Sequence, residues 1–449
     1  MHRIVYLPIE KKIRELKAKT LIALELSRIG ITTVIGTDRA LLSYSSQFPR
    51  GLMCFKGINK VQTDIGREIK KMGFLPVATD EEALGNSNEQ LIAQDCWKDA
   101  HSIFHKVFCQ GAVHKETLRS QREFSVDQLE TTGNVRVDLL RPPFTDALGE
   151  KVEEIRHRFG PFILVNTNSG GTNSKERNLD RYKEALIQIG YIDPSAPADL
   201  ELLENHLNHD RNNVLAIKSF VRSMSAVFPE RRIVLRPHPS ERETVYRDLA
   251  SETKNMEVVT GTDPQEWIMA ADLLVQTGCT TGLEAAILGT PTISLSHHPQ
   301  PVGPFADVVS NRINPSVSTV DELIEAIRRF DCGEAPEYGA NKADKIERLA
   351  CYVLIDDVQY AFQKIAVAMS NALLNTPEPP EISPISESVD QAMSDVVDAQ
   401  THDNAYVDPE TFNSIVRDMA TTLGYKTMPT VKDLRWGVYK VEAQNNYSE

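Results

Sequence analysis

Short apolar runs alternate with amphipathic stretches from the start of the chain, and this alternation restricts the fold more than any other feature. Residues 3–7 form an apolar run with β-branched members. From about 11 to 29, Leu16, Thr20, Ala23, Leu24 and Ser27 recur at spacings of three and four, the period of a helix face. Gly30 ends that helix, and 32–35 reads as the next strand. Strand, helix and strand with short connections make the unit from which parallel sheets are built. Leu75–Ala78 and Lys106–Cys109 read as further strands, with a helix over 95–105 between them. Arg141-Pro142-Pro143 and Gly160-Pro161 then interrupt the pattern around a helix predicted over 146–158. A second series predicts strands at 162–166, 232–236, 256–259, 272–276 and 291–295, with helices at 212–228, 264–270 and 282–288. Residues 180–211 read as an insertion or a decorated connection.

A chain of 449 residues is too long for one hydrophobic core. The expected architecture is α/β, with two Rossmann-like, doubly wound domains facing a cleft and a C-terminal extension. The predicted boundaries are 1–142 for the first domain and 160–375 for the second. The proline-rich, acidic stretch 376–404 reads as a linker, and 405–449 as a small appendage, either helical or clamped over the first domain. A net charge of −14 argues against general nucleic-acid binding, which needs many phosphate-neutralising cations. Six cysteines are scattered without a CxxC pair, as expected for reduced thiols in a cytoplasm. No leader is expected from the opening ten residues, and no apolar run approaches the roughly 20 residues that span a bilayer.

In doubly wound sheets, ligands bind beyond the carboxyl ends of the strands, so the loops there carry the functional candidates. Arg236-Pro237-His238-Pro239 follows a predicted strand. Its prolines fix the backbone, His238 can donate to a phosphate, and Arg236 can grip one in two-pronged fashion; a proline-fixed surface turn is the plainer alternative. Gln276-Thr277-Gly278-Cys279-Thr280-Thr281-Gly282 opens a helix. Backbone N–H groups and the helix dipole favour an anion there. The hydroxyls of Thr277, Thr280 and Thr281 add donors, and Glu284 sits in the first turn, within reach of a ribose; an ordinary capped helix is the alternative. Asn166-Thr167-Asn168-Ser169-Gly170-Gly171 is small, polar and glycine-rich, either a flexible turn or a place where ligand approaches backbone. In the first domain, Asp80-Glu81-Glu82-Ala83 follows a strand. Glu81 or Glu82 can serve as a base toward an acceptor hydroxyl, or simply stabilise a helix start. Asp138, in Gly133-Asn134-Val135-Arg136-Val137-Asp138, is either a structural partner of Arg136 or Arg141 or a second carboxylate of the site. His101 and His105 have metal-ligand spacing, but no third ligand accompanies them.

An acidic motif in the first domain, a His-Pro motif in the second and a Thr-rich loop before a helix together resemble bacterial GT-B glycosyltransferases that use CMP-activated sugars, the sialyltransferases and Kdo transferases. More closely, the chain resembles bacterial surface carbohydrate biosynthesis proteins, through Val5-Tyr6-Leu7-Pro8-Ile9-Glu10, Arg14-Glu15-Leu16, Asp80-Glu81-Glu82, the 133–138 segment, Val165-Asn166-Thr167-Asn168 and Arg236-Pro237-His238-Pro239. The resemblance implies that His238 contacts the donor phosphate and that Thr280 and Thr281 hold the phosphate or the sugar carboxylate. Glu81 or Glu82 would be the acceptor-activating base or a nucleophile, with Asp138 a weaker candidate. It further implies a nucleotide-sugar donor linked through CMP, and a saccharide acceptor carried on a lipid. The protein would then be cytoplasmic, with at most peripheral contact at the inner face of the membrane. No DxD triplet is present, and a CMP-linked 2-keto acid sugar has no diphosphate for a divalent metal to offset, so no metal or cofactor is expected. Two departures stand out: Ala83 where the motif has glycine, and Val135 where it has proline. The alternatives are a CDP-glycerol-type glycerophosphotransferase, a nucleotide-sugar 2-epimerase of the same fold, and a non-catalytic assembly factor.

Overall fold

The computed structural model describes residues 1–175, 178–188, 190–261, 263–334, 342–385 and 406–444, with Glu82 described by its backbone alone. The chain divides into two compact units. The first comprises Met1–Ala83, Cys96–Phe144 and Val353–Glu449; the second comprises Leu84–Asp95 and Thr145–Tyr352.

The first unit is built on β1 (Ile4–Ile9), β2 (Thr32–Thr37), β3 (Leu52–Phe55), β4 (Leu75–Ala78), β5 (Lys106–Cys109) and β6 (Leu129–Thr131), all parallel. Every residue of β1 and β2 is buried. Strands covered on both faces read as continuous apolar or small runs, which is why the sequence reveals them. The helix Lys12–Arg28 joins β1 to β2, and Gly30 beyond it adopts φ +78°, the left-handed geometry that favours glycine after a helix end.

The C-terminal part of the chain departs from expectation. Residues 353–375, predicted in the second domain, lie in the first unit. Their helix Ala361–Ala372 packs Phe362, Ile365 and Met369 into the core that also holds Leu21 and Leu24 of Lys12–Arg28. The predicted appendage is sheet as well as helix. Pro409–Thr422 adds Phe412 and Val416 to the same core. In the second unit, β7 (Phe162–Asn166), β8 (Arg232–Arg236), β9 (Met256–Val258), β10 (Leu273–Gln276), β11 (Thr292–Leu295) and β12 (Ser316–Val317) form a parallel sheet in the order β12-β11-β10-β7-β8-β9. The last two strands, β13 (Thr430–Asp433) and β14 (Val438–Glu442), pair antiparallel with each other, and β14 pairs antiparallel with β2. The first sheet therefore runs β13-β14-β2-β1-β3-β4-β5-β6. Gly36 makes the junction possible: a Cβ there would lie 2.7 Å from the Gly437 carbonyl oxygen. Phe412 and Tyr439 stack at 4.2 Å and 9° beneath it. The predicted linker lies outside the described residues from 386 onward, and the described Ile382 and Ile385 are buried in the first unit.

In the second unit the five predicted strands fall within one residue of those observed. Residues 180–211, expected to be an insertion or a decorated connection, lie between β7 and β8 and are helical over most of their length. Leu179–Gln188 is one helix, and Pro197–Val227 is a continuous helix of 31 residues with proline in its first turn, where the missing N–H costs nothing. The unit also begins earlier than 160, at Thr145, and takes in the separate segment Leu84–Asp95. Among the described residues no helix is long and apolar enough to cross a membrane.

Candidate functional site

The carboxyl ends of β10, β7 and β8 lie side by side, and their last residues Gln276, Asn166 and Arg236 form one row in register. The loops beyond them are the three that the sequence singles out in the second domain. Two buried carboxylates shape the first of these loops. Glu241 accepts hydrogen bonds from Thr167 Oγ1 (2.7 Å), the Ser169 backbone N–H (2.9 Å), Asn173 Nδ2 (3.3 Å) and the Tyr246 hydroxyl (2.6 Å). Asp210 Oδ2 accepts the backbone N–H groups of Gly171 (2.7 Å) and Thr172 (3.1 Å). A Cβ at 170 would lie 2.4 Å from Ser240 Oγ and would displace that hydroxyl from His238 Nδ1.

Held this way, the loop leaves polar groups stranded. Asn166 is 2% exposed, and neither its amide oxygen nor its amide nitrogen has a hydrogen-bond partner. Ser169 Oγ, in a residue 1% exposed, and the buried Thr277 Oγ1 are likewise unpartnered. Leaving a buried polar group unpaired costs about 1–3 kcal/mol, so three such side chains at adjoining strand ends make this the candidate ligand site of the second unit. Asn168 beside them is partly exposed.

The second loop is locked to the first through the His238 backbone N–H, which donates to Thr167 Oγ1 at 3.3 Å. His238 Nδ1 lies 2.6 Å from Ser240 Oγ and accepts the Ser240 backbone N–H at 3.3 Å. A backbone N–H can only donate, so the neutral ring carries its proton on Nε2, the arrangement required for giving a hydrogen bond to an anion. Burial lowers the pKa of the Arg236 guanidinium, and the Glu284 carboxylate supplies the largest opposing effect.

The third loop corrects one expectation. The N–H groups of Gly278 and Cys279 are not available to an anion: both donate to Gln276 Oε1, at 2.5 and 2.7 Å. Gln276 Nε2 is fixed in turn by Ser294 Oγ (2.5 Å) and Asn311 Oδ1 (3.2 Å). Gly278 serves the turn itself, with φ +89°. The helix Thr281–Leu288 follows, with Thr280 as its cap residue and Glu284 buried in its first turn. Gly85, just beyond the acidic motif in sequence, packs against this loop: a Cβ there would lie 2.9 Å from Thr280 Cγ2. Its carbonyl accepts the Val309 N–H, and Ser87 and Asn88 bond Asp307.

Sequence reasoning missed the helix Pro197–Val227 as a contributor. His209 and Asn213 lie 3.2 Å apart, and Asn213 Nδ2 donates to the Thr277 carbonyl at 3.1 Å. Burial, reinforced by His298 and His206, lowers the His209 pKa to about 3. Burial raises that of Asp210 to about 7. The available signal was a set of polar residues, His206, His209, Asp210 and Asn213, recurring at helical spacing within this helix.

In the first unit, Asp80 is buried with φ +42°; its Oδ2 lies 2.8 Å from His114 Nε2, and its carbonyl accepts from Gln110. Glu81 opens a single helical turn, accepts from Thr79 Oγ1 at 3.3 Å and donates its N–H to the Lys56 carbonyl. The Glu82 side chain lies outside what is described. Ala83 is not among the residues with positive φ, so alanine fits there without backbone strain. Val135 occupies the first position of the short helix Val135–Asp138, capped by Asn134, where proline is favoured but not required. Asp138 has a structural task. Its Oδ2 accepts the Phe362 N–H (2.9 Å) at the start of Ala361–Ala372, and burial raises its pKa to about 7. His101 sits edge-on to Phe124, and no group of three metal-ligating side chains occurs among the described residues.

No protein-family model matches the chain, and no curated protein matches it in sequence. Solved structures do match in shape. UDP-GlcNAc 2-epimerase from Neisseria meningitidis, bound to UDP-GlcNAc, is 13% identical with a TM-score of 0.53, over 83% of this chain and 99% of that one. The Methanocaldococcus jannaschii UDP-GlcNAc 2-epimerase, in complex with UDP-GlcNAc and UDP, is 12% identical with a TM-score of 0.51, over 82% and 99%. The wall teichoic acid polymerase TagF is 11% identical with a TM-score of 0.50, over 82% and 88%. With two Rossmann-like domains built on parallel strands β1–β6 and β7–β12, this chain has a GT-B-type α/β fold.

Proposed function

We propose that the protein is a nucleotide-sugar enzyme, a metal-independent glycosyltransferase whose second unit holds the donor. The observation that carries this reading is the trio of buried, unpartnered groups on Asn166, Ser169 and Thr277, beside a His238 ring whose proton is directed to Nε2. That set offers hydrogen bonds of both signs at strand ends next to the His238 loop, whose imidazole is the proposed phosphate contact. A CMP-activated 2-keto acid sugar of the Kdo or sialic type is the proposed donor, on the resemblance carried by the acidic, His-Pro and Thr-rich motifs. The acceptor is a surface-polysaccharide saccharide, with Glu81 or Glu82 taking the proton from its hydroxyl. The protein would work in the cytoplasm, peripherally at the inner face of the membrane when the acceptor is lipid-linked.

A second reading has its own support: two of the similar folds are epimerases solved with UDP-GlcNAc, and a third is a teichoic acid polymerase. Product analysis separates the readings. The purified chain is incubated with CMP-Kdo, UDP-GlcNAc or CDP-glycerol, with and without a saccharide acceptor and with and without EDTA. Acceptor-dependent transfer from CMP-Kdo, unaffected by EDTA, is the expected result. Conversion of UDP-GlcNAc without acceptor would establish the epimerase, and glycerol phosphate transfer the polymerase-like activity. Loss of transfer in EDTA would overturn metal independence.

A further inference from the structure

The unpartnered groups of the second unit continue beyond Thr277. Asn213, on the helix Pro197–Val227, is 1% exposed, and its amide oxygen has no hydrogen-bond partner. Its neighbours fix which way that amide points. A carbonyl oxygen can only accept, so the amide nitrogen faces the Thr277 carbonyl at 3.1 Å. The same nitrogen lies 3.2 Å from His209 Nε2, which therefore accepts, and the neutral His209 ring carries its proton on Nδ1. The Asn213 oxygen is left without a donor, beside the loop whose Thr277 Oγ1 is also unpartnered. His298 extends the set. It is the third residue past β11, and its ring stands 5.5 Å from that of His209. Neither of its ring nitrogens has a partner, and both are buried. The loop that carries it is tied to the same helix by Asn212 Nδ2, which donates to the Gln300 carbonyl at 3.4 Å.

These groups lengthen the site in one direction. The strand order β11-β10-β7-β8 sets His298, Thr277, Asn166 and His238 beyond successive strands. Neighbouring strands lie about 4.8 Å apart, so the row is on the order of 14 Å long. A phosphate at His238 occupies one end of such a row and leaves the other to the rest of its ligand. The two ends differ in chemistry. Burial lowers the pKa of His209 to about 3 and is also the main cause of the lowered pKa of His298, so both imidazoles stay neutral. A neutral imidazole offers one donor and one acceptor, and the Asn213 amide oxygen only accepts. Hydroxyl groups, which donate and accept, satisfy such a set. A carboxylate or phosphate meets no cation in these residues and has no proton to give the Asn213 oxygen.

We propose that Asn213 and His298, next to Thr277, bind hydroxyl groups at the end of the ligand away from its phosphate, with His209 as a positioning residue that fixes the Asn213 amide. This deepens the nucleotide-sugar reading above and rests on it. The hydroxyls belong either to the ribose or to the transferred sugar. Titration calorimetry on the full chain with CMP, UDP, CMP-Kdo and UDP-GlcNAc distinguishes the two. His298→Phe keeps an aromatic ring and removes both hydrogen-bonding atoms. It is expected to weaken the nucleotide sugar that binds by about fivefold to thirtyfold. The melting temperature of the unliganded variant is expected to hold or rise, because two unpaired buried nitrogens are gone; a residue kept for stability would show the reverse. His298→Gln, with one donor and one acceptor, is expected to recover part of the affinity, and His298→Ala replaces His298→Phe if that variant fails to fold. A loss already present with CMP or UDP assigns the hydroxyls to the ribose, and a loss confined to the nucleotide sugar assigns them to the transferred sugar. Unchanged affinity for every probe that binds the wild type would overturn the proposal. So would a lowered melting temperature in His298→Phe, or a loss in His298→Gln equal to that in His298→Phe. In those cases nucleotide still binds the wild type and the donor reading stands; if no probe binds the wild type, the donor reading fails and this proposal falls with it.

Discussion

Replacing Glu241 by alanine is expected to abolish nucleotide binding and to destabilise the second unit by at least about 4 kcal/mol, in the far tail of point substitutions. The reason lies in the count of stranded partners. Glu241 is fully buried and accepts from Thr167, Ser169, Asn173 and Tyr246, all of which lie in or beside the candidate donor loop. Alanine leaves three donors, on Thr167, Ser169 and Tyr246, without an acceptor in a buried site, each at a cost of about 1–3 kcal/mol, and leaves Asn173 Nδ2 only the Arg242 carbonyl. The His238 loop loosens with them, because the hydroxyl that accepts the His238 N–H is held by Glu241. Glu241→Gln retains one oxygen for Thr167 and Ser169 but turns an N–H₂ group toward other donors, so an intermediate loss is expected. Thermal melting and nucleotide titration of the two variants provide the check. Wild-type nucleotide affinity in Glu241→Ala would show that the loop is not held as described.

The second large effect is a pH dependence at Asp210. Burial raises its folded-state pKa to about 7, against a carboxyl reference of 3.8. The folded protein therefore keeps this proton between about pH 4 and pH 7 while the unfolded chain releases it. A state that binds more protons loses stability as pH rises through that window, so ionised Asp210 opposes folding above it. Asparagine mimics the protonated acid and can still accept the Gly171 and Thr172 N–H groups. Asp210→Asn is thus expected to match wild type near pH 4, and to gain on it progressively until about pH 7, by a few kcal/mol at one pKa unit per about 1.4 kcal/mol. Above that the gain is constant. Asp210→Ala, lacking the acceptor, is expected to be destabilised at every pH. Parallel urea unfolding of the three proteins from pH 4 to pH 8 reads the difference. An Asp210→Asn curve running below wild type at high pH would mean that the ionised carboxylate, not merely an acceptor oxygen, holds the loop.

How much of this was legible in the chain depended on whether a residue's surroundings were local. The parallel strands were readable because burial on both faces writes itself as a run of apolar residues, as in Phe162–Asn166 and Arg232–Arg236. The loops at their ends followed from the strands. The long helix Pro197–Val227 was read only in its second half, because the buried polar residues His209, Asp210, Asn212 and Asn213 erase the hydrophobic stripe where the helix faces the site. Glu241 and Gln276 looked like ordinary polar loop residues; their importance lies in backbone N–H groups that no sequence pattern displays. Gln276 also reversed a local inference, since it takes the N–H groups of Gly278 and Cys279 that the motif offered to an anion. The fate of residues 353–444 was the least legible. Val438–Glu442 shows the alternation of a strand, but its partner β2 lies some 400 residues earlier, and only the missing side chain at Gly36 hints that another backbone comes close.

The central claim is that the second unit binds a nucleotide through the loops of Asn166, His238 and Thr277. Thermal melting of the purified protein with CMP, CDP, UDP and GDP, alongside His238→Ala, tests it most directly, because a ligand that binds only the folded state raises the melting temperature by mass action. The account expects CMP to raise the melting temperature most and His238→Ala to lose most of that shift. A shift with UDP alone would keep the site and replace the donor, whereas no shift with any nucleotide, or one undiminished in His238→Ala, would contradict the claim.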